Sequence, residues 1–163
     1  MRSKVLAILT GGLVAGVLDL TYAIVFSGLH GIPAIRILQS VAGGLLGAST
    51  YDGGIRTAAL GVCLHFLIVL AAAAIYVSAS VRIPFLARRP IIAGALFGIA
   101  MYGVMTFIVL PSSAYPHPIR FTPLLVTANL LAHMFLVGMP IALAARNLRR
   151  FEDIGSSPRE VRA

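Results

Sequence analysis

Charge is missing from four long stretches of this chain. No Asp, Glu, Lys or Arg occurs from Val5 to Ile35 apart from Asp19, and none occurs in Thr57–Val81, Pro90–Ile119 or Phe121–Ala145. A helix needs about 20 apolar residues to cross roughly 30 Å of hydrocarbon, and each stretch supplies them. Lipid offers no partner to backbone N–H and C=O groups, so the stretches are predicted as helices near Leu6–Phe26, Ile55–Val77, Ile91–Leu110 and Leu124–Ala145. The expected fold class is an all-α membrane protein. A four-transmembrane-helix bundle over residues 1–148 precedes a polar cytoplasmic tail over 149–163, expected to be disordered. Only 11% of the 163 residues are charged, against about a quarter in soluble domains, which excludes an ordinary water-soluble core.

The formal charge of +8 invites a nucleic-acid reading, but the distribution of the basic residues argues against it. Arg2 and Lys4 precede span one; Arg82, Arg88 and Arg89 separate spans two and three; Arg146, Arg149, Arg150, Arg159 and Arg162 follow span four. These positions fall on alternate loops, and the positive-inside rule places that side in the cytoplasm. A multi-pass protein of the bacterial inner membrane with both termini cytoplasmic is expected. Arg36, Arg56 and Arg120 lie on the opposite side with Asp52, His30 and His117. The basic N-terminus followed by an apolar run is read as span one rather than a cleavable signal, because the run continues to Phe26.

Spans one and two resemble spans three and four. Gly12-Leu-Val-Ala-Gly16 matches Gly94-Ala-Leu-Phe-Gly98, and Leu64-His65-Phe66-Leu67-Ile68-Val69 matches Ala132-His133-Met134-Phe135-Leu136-Val137. A tandem two-helix repeat is expected, its copies running in the same direction. The first copy carries an insertion, Pro33 to Gly47, too short to span. Its apolar residues Ile35, Leu38, Ala42 and Leu45 recur at helical spacing opposite Arg36, Gln39, Ser40, Gly43 and Gly47, predicting a short interfacial or re-entrant helix. The proline-rich Pro111–Pro118 is expected to lie extended. Arg82–Pro90 is short enough to make spans two and three antiparallel neighbours, and Pro140 is expected to kink span four. Cys63, the single cysteine, reads as a small core hydrophobe and forms no intramolecular disulfide. The glycine pairs read as helix-packing positions.

Candidate site residues are few. Asp19 is the sole formal charge within a span, and a carboxylate there costs about 2.5–3.5 kcal/mol on insertion scales. It either pairs with Arg36 to pin the inserted helix, handles protons or cations, or is a neutral buried acid. His65 and His133 share a depth near mid-membrane, and Asn129 lies four residues before His133 on the same helix face. With Gln39 these residues outline a polar pocket leaning away from the cytoplasm. Opposed His65 and His133 are also the minimum requirement for haem b ligation, although no cofactor is predicted in the leading reading. Tyr22, Tyr76 and Tyr102 are interfacial anchors or ligands, and His30 with His117 is a weak metal pair. The chain carries no nucleophile triad, zinc helix motif or phosphate loop.

At Gly16-Val-Leu-Asp19, Ile35-Arg-Ile-Leu-Gln-Ser40 and His133-Met-Phe-Leu-Val-Gly138, the chain resembles small uncharacterised four-span inner-membrane proteins of Gram-negative bacteria. The resemblance covers roughly Gly12 to Arg146 and implies location and architecture without an activity. The leading expectation is a non-enzymatic binder of a small ligand, a lipid or a membrane partner subunit. The rivals are a proton- or cation-linked transporter and a b-type haem subunit. The bilayer is the expected partner, with a homodimer as a further option.

Overall fold

The computed structural model describes residues 2–156, and among them every regular element is helical. Four helices are long and apolar enough to cross a membrane: Ser3–Gly28, Gly54–Arg82, Pro90–Ser112 and Pro123–Asn147. They belong to α1 (Arg2–Gly28), α3 (Gly54–Arg82), α5 (Pro90–Ser112) and α6, which begins at Pro123 and continues to Ser156. Two short helices complete the set, α2 (Ala34–Leu46) and α4 (Pro84–Arg88). The rest of the tail that was expected to be disordered, 157–163, lies outside the described residues.

Local chemistry sets the boundaries. Pro84, Pro90 and Pro123 stand at or next to the first positions of α4, α5 and α6, where a missing N–H costs nothing. The Thr122 side chain accepts the Leu125 N–H at 3.3 Å, capping α6. α2 ends at Gly47, whose φ of 64° lies in the left-handed region that glycine adopts without a Cβ clash.

Both α5 and α6 contain a π-helical turn, Met105–Val109 and His133–Gly138. Each has the same cause. Pro111 and Pro140 cannot donate to the carbonyls of Phe107 and Leu136 four residues earlier, and a wider turn relieves the clash. The expected distortion at Pro140 is therefore a π turn just before the proline.

Among the four spans the closest pairs are α1 with α3, α1 with α6, and α5 with α6. Glycine makes them possible. A Cβ built on Gly98 would run into the His133 carbonyl, and one on Gly138 would collide with the Gly94 carbonyl. Gly12 abuts Leu70 and Ala73, Gly16 abuts the Phe66 ring, and Gly11 abuts Ile141 and Ala144. With no hydrophobic force separating helix from lipid, this close contact of backbones is what holds the spans together.

The core fills one half of the bundle, the half that carries both chain ends and α4. Ala7, Ala15, Ala73, Val77, Ala93, Ile141, Ala142 and Ala145 are buried there. Tyr76 is only 2% exposed, sets its ring edge-on to Phe97 at 4.9 Å, and donates to the Leu86 carbonyl at 2.9 Å. It is a core residue rather than an interfacial anchor. The tight linker thus brings α3 and α5 together at this end only through side chains; their backbones are not among the close pairs, contrary to the expectation of adjacent neighbours. Cys63 also departs from expectation, since it is exposed on the outer face of α3.

The inserted segment forms α2, as expected, with its apolar edge turned outward. Ile35 and Leu45 are exposed, while Gln39, Ala42 and Gly43 are buried, chiefly against α3. A Cβ on Gly61 of α3 would collide with the Leu38 carbonyl. In a bilayer this polarity is sensible: the polar edge needs protein partners, and the apolar edge does not. The extended connection after α5 is pinned on α2 by an Ala114 N–H to Gly44 carbonyl bond of 2.9 Å and by Pro116 against Gly43.

Replacing Gly98 with Ala is expected to cost about 1–3 kcal/mol, the usual penalty for overpacking. Gly103→Ala on the same helix meets open space and is expected to be neutral or slightly stabilising. Thermal unfolding of the two variants in one detergent checks the contrast.

Candidate functional site

Beyond the core the four spans open, and their facing residues enclose a cavity of about 320 Å³. Asp19 from α1, His65 from α3, and Asn129 and His133 from α6 all line it. α5 adds Tyr102 and Thr106, and α2 adds Ser40. Four of the six candidate residues thus converge. The rest of the wall is mostly apolar, including Leu20, Ile68, Met101, Met105 and Val137.

Hydrogen bonds orient the polar groups. His65 is 9% exposed and donates from Nε2 to the Gly16 carbonyl at 2.9 Å, which ties α3 to α1 and leaves Nδ1 as a lone pair. His133 donates from Nδ1 to the carbonyl of Asn129 at 2.9 Å, leaving Nε2 as a lone pair. Its ring meets that of Tyr102 edge-on at 5.7 Å. The Tyr22 hydroxyl donates to Asn129 Oδ1 at 3.2 Å, linking α1 to α6. Asp19 is half-buried and, among the described residues, makes no ion pair and no hydrogen bond.

Arg36 and Gln39 do other work. Arg36 sits in a second hollow of about 570 Å³ at the α2 end, with Tyr51, Tyr115 and His117. Its guanidinium lies over the Tyr51 ring, 5.0 Å from the centroid, a cation–π arrangement. The Tyr51 hydroxyl and His117 Nε2 share a hydrogen bond of 2.8 Å. This vestibule joins the deeper cavity through shared walls at Ala23, Ile37 and Ser40. Gln39 is buried outside the cavity. Its Nε2 donates to the Gly54 carbonyl at 3.1 Å and to Thr57 Oγ1 at 3.3 Å, while its own carbonyl accepts from Thr50 Oγ1 at 2.9 Å. Those bonds satisfy the turn between α2 and α3.

His30 bonds back to the Phe26 carbonyl of its own helix at 2.7 Å, away from His117. Among the described residues no three His, Cys, Asp or Glu side chains are grouped as a metal site would need.

Sequence reasoning did not select Ser40, Thr106 or Met101. Tyr22 had a usable signal, since it lies three residues from Asp19 on the same face of α1. Thr106 is legible only once the π turn around it is known.

The fold and this cavity define an integral, multi-pass helical membrane protein with a polar site inside its bundle. Compared with known protein families, with curated proteins and with solved structures, the chain matches none. Its own residues carry the functional reading.

Gln39→Leu is expected to lose about 1–3 kcal/mol, because the Gly54 carbonyl and the Thr57 hydroxyl each lose a buried partner. At the vestibule, burial raises the Tyr115 phenol above its ordinary value, and charge on Tyr51 raises it further. A phenol that holds its proton longer in the folded chain contributes fully below about pH 10 and loses that contribution as pH rises through the folded value. Tyr115→Phe is therefore expected to lessen the alkaline fall in thermal stability above pH 10.

Proposed function

We propose that this chain is a non-enzymatic protein of the bacterial inner membrane that binds a small ligand in the cavity at Asp19, His65, Asn129 and His133. The observation that carries the reading is the state of Asp19. A carboxylate placed within a span at a cost of about 2.5–3.5 kcal/mol faces a cavity and, among the described residues, makes no ion pair and no hydrogen bond. A ligand bound in the cavity supplies that compensation. The volume stands at the low end of the roughly 300–1,000 Å³ common for ligand pockets, so the ligand is small.

Arg82, Arg88, Arg89 and Arg146 cluster at the α4 end, which supports a cytoplasmic position for that end and an approach of the ligand from the α2 side. A tandem origin for the two halves draws support from packing. Gly16 meets Phe66 beside His65, and Gly98 meets Met134 beside His133, at matched positions of the two hairpins. A proton- or cation-linked transporter is the second reading. It is favoured by the two π turns, a feature frequent at functional sites, which border the cavity on α5 and α6.

Benzyl alcohol, a neutral probe sized for the chamber, is expected to stabilise the purified protein in lipid nanodiscs with saturable dependence on concentration. Thr106→Trp, which fills the chamber, is expected to abolish that stabilisation. A linear, non-saturating effect that is the same in both proteins contradicts the reading.

A further inference from the structure

Charge in the cavity lining is one-sided, and its sign points to a ligand class. Asp19 accepts only. His65 has already given its N–H to Gly16, His133 its N–H to Asn129 and Ser40 its O–H to the Ile37 carbonyl at 2.7 Å. What these groups retain is lone pairs. The Asn129 amide nitrogen and the Thr106 and Tyr102 hydroxyls keep their donors, but no Lys or Arg lines the chamber, and its one formal charge is the Asp19 carboxylate. The sign of that charge favours a ligand headgroup that is positive.

The walls define the rest of the ligand. The chamber shares Val41, Ile68, Met105 and Leu110 with an adjoining hollow of about 360 Å³ between α3 and α5, also lined by Leu64 and Val109. Methionine side chains adapt to varied apolar shapes. Tyr102 adds an aromatic ring near His133, suited to a neighbouring cation. Arg36 stands outside, in the vestibule over Tyr51.

We propose that the cavity is a site for a small lipophilic amine, its ammonium group on Asp19 and its apolar body directed between α3 and α5. This proposal rests on the ligand-binding reading above and adds the sign of the charge. An anion of the same shape meets the Asp19 carboxylate with no Lys or Arg to offset it. A neutral analogue gains the apolar contacts without the charge.

The test uses three compounds of matched shape, benzylamine, benzyl alcohol and benzoate, titrated at pH 7 into the full chain in nanodiscs. Benzylamine is expected to bind at least tenfold more tightly than benzyl alcohol, and benzoate more weakly than either. Asp19→Asn is expected to erase the preference for the amine. Asp19→Met combined with Met101→Asp moves the carboxylate from α1 to α5 within the same cavity, and is expected to restore the preference. Equal binding of amine and alcohol by the wild-type chain overturns the charge assignment while leaving a ligand site in place. No binding by any of the three overturns both. Should Asp19→Asn fail to fold, the wild-type series alone decides.

Discussion

Contact between helix backbones at glycine is the interaction on which this structure depends. In lipid, apolar side chains gain little by leaving the solvent, so helices associate where shape allows many close atomic contacts. Gly94, Gly98 and Gly138 bring α5 against α6 so closely that a methyl group on any of them would clash with, or crowd, the facing backbone. Gly11, Gly12 and Gly16 let α1 seat against α6 on one side and α3 on the other. α1 and α6 thereby form the middle of the bundle.

The same constraint explains why the molecule is solid at one end and hollow toward the other. Interior positions near α4 are taken by Ala7, Ala15, Ala73, Ala93, Ala142 and Ala145, which permit close approach. Toward α2 the facing residues are larger or polar, and the π turns before Pro111 and Pro140 alter the course of α5 and α6. α2 then packs against α3 and bears the connection that follows α5. The space left among these elements receives Asp19, His65, Asn129 and His133 from three different spans. His65, Asn129 and His133 find hydrogen-bond partners within the bundle, as the low dielectric of the bilayer demands.

Much of this was legible in the residues. The charge-free runs located all four spans to within a few residues, since lipid imposes one length and one type of secondary structure on them. Residue counting sets His65 and His133 in the middle of two spans, and both line one cavity. The paired glycines announced close packing. The convergence of Asp19 with both histidines was a matter of helix rotation and neighbour order, which a uniformly apolar sequence encodes only weakly. Neighbour order was misread where the linker's shortness suggested that α3 and α5 pair along their length. Gln39 was taken as a site residue because it is polar on a short helix; its partners, Gly54 and Thr57, lie across a turn whose path no spacing rule reveals. Cys63 was placed inside because cysteine is often buried in soluble cores, whereas in a bilayer an apolar residue has no such preference for the interior.

The central claim is that Asp19 and Asn129 line one cavity within the bundle. Cross-linking tests it most directly. With cysteines at positions 19 and 129 in a Cys63→Ser background, a short bifunctional thiol reagent added to membranes is predicted to form an intrachain link in high yield. A cysteine at position 19 paired with the native, outward-facing Cys63 is predicted to link poorly. Equal yields from the two pairs, or none from the first, would contradict the account.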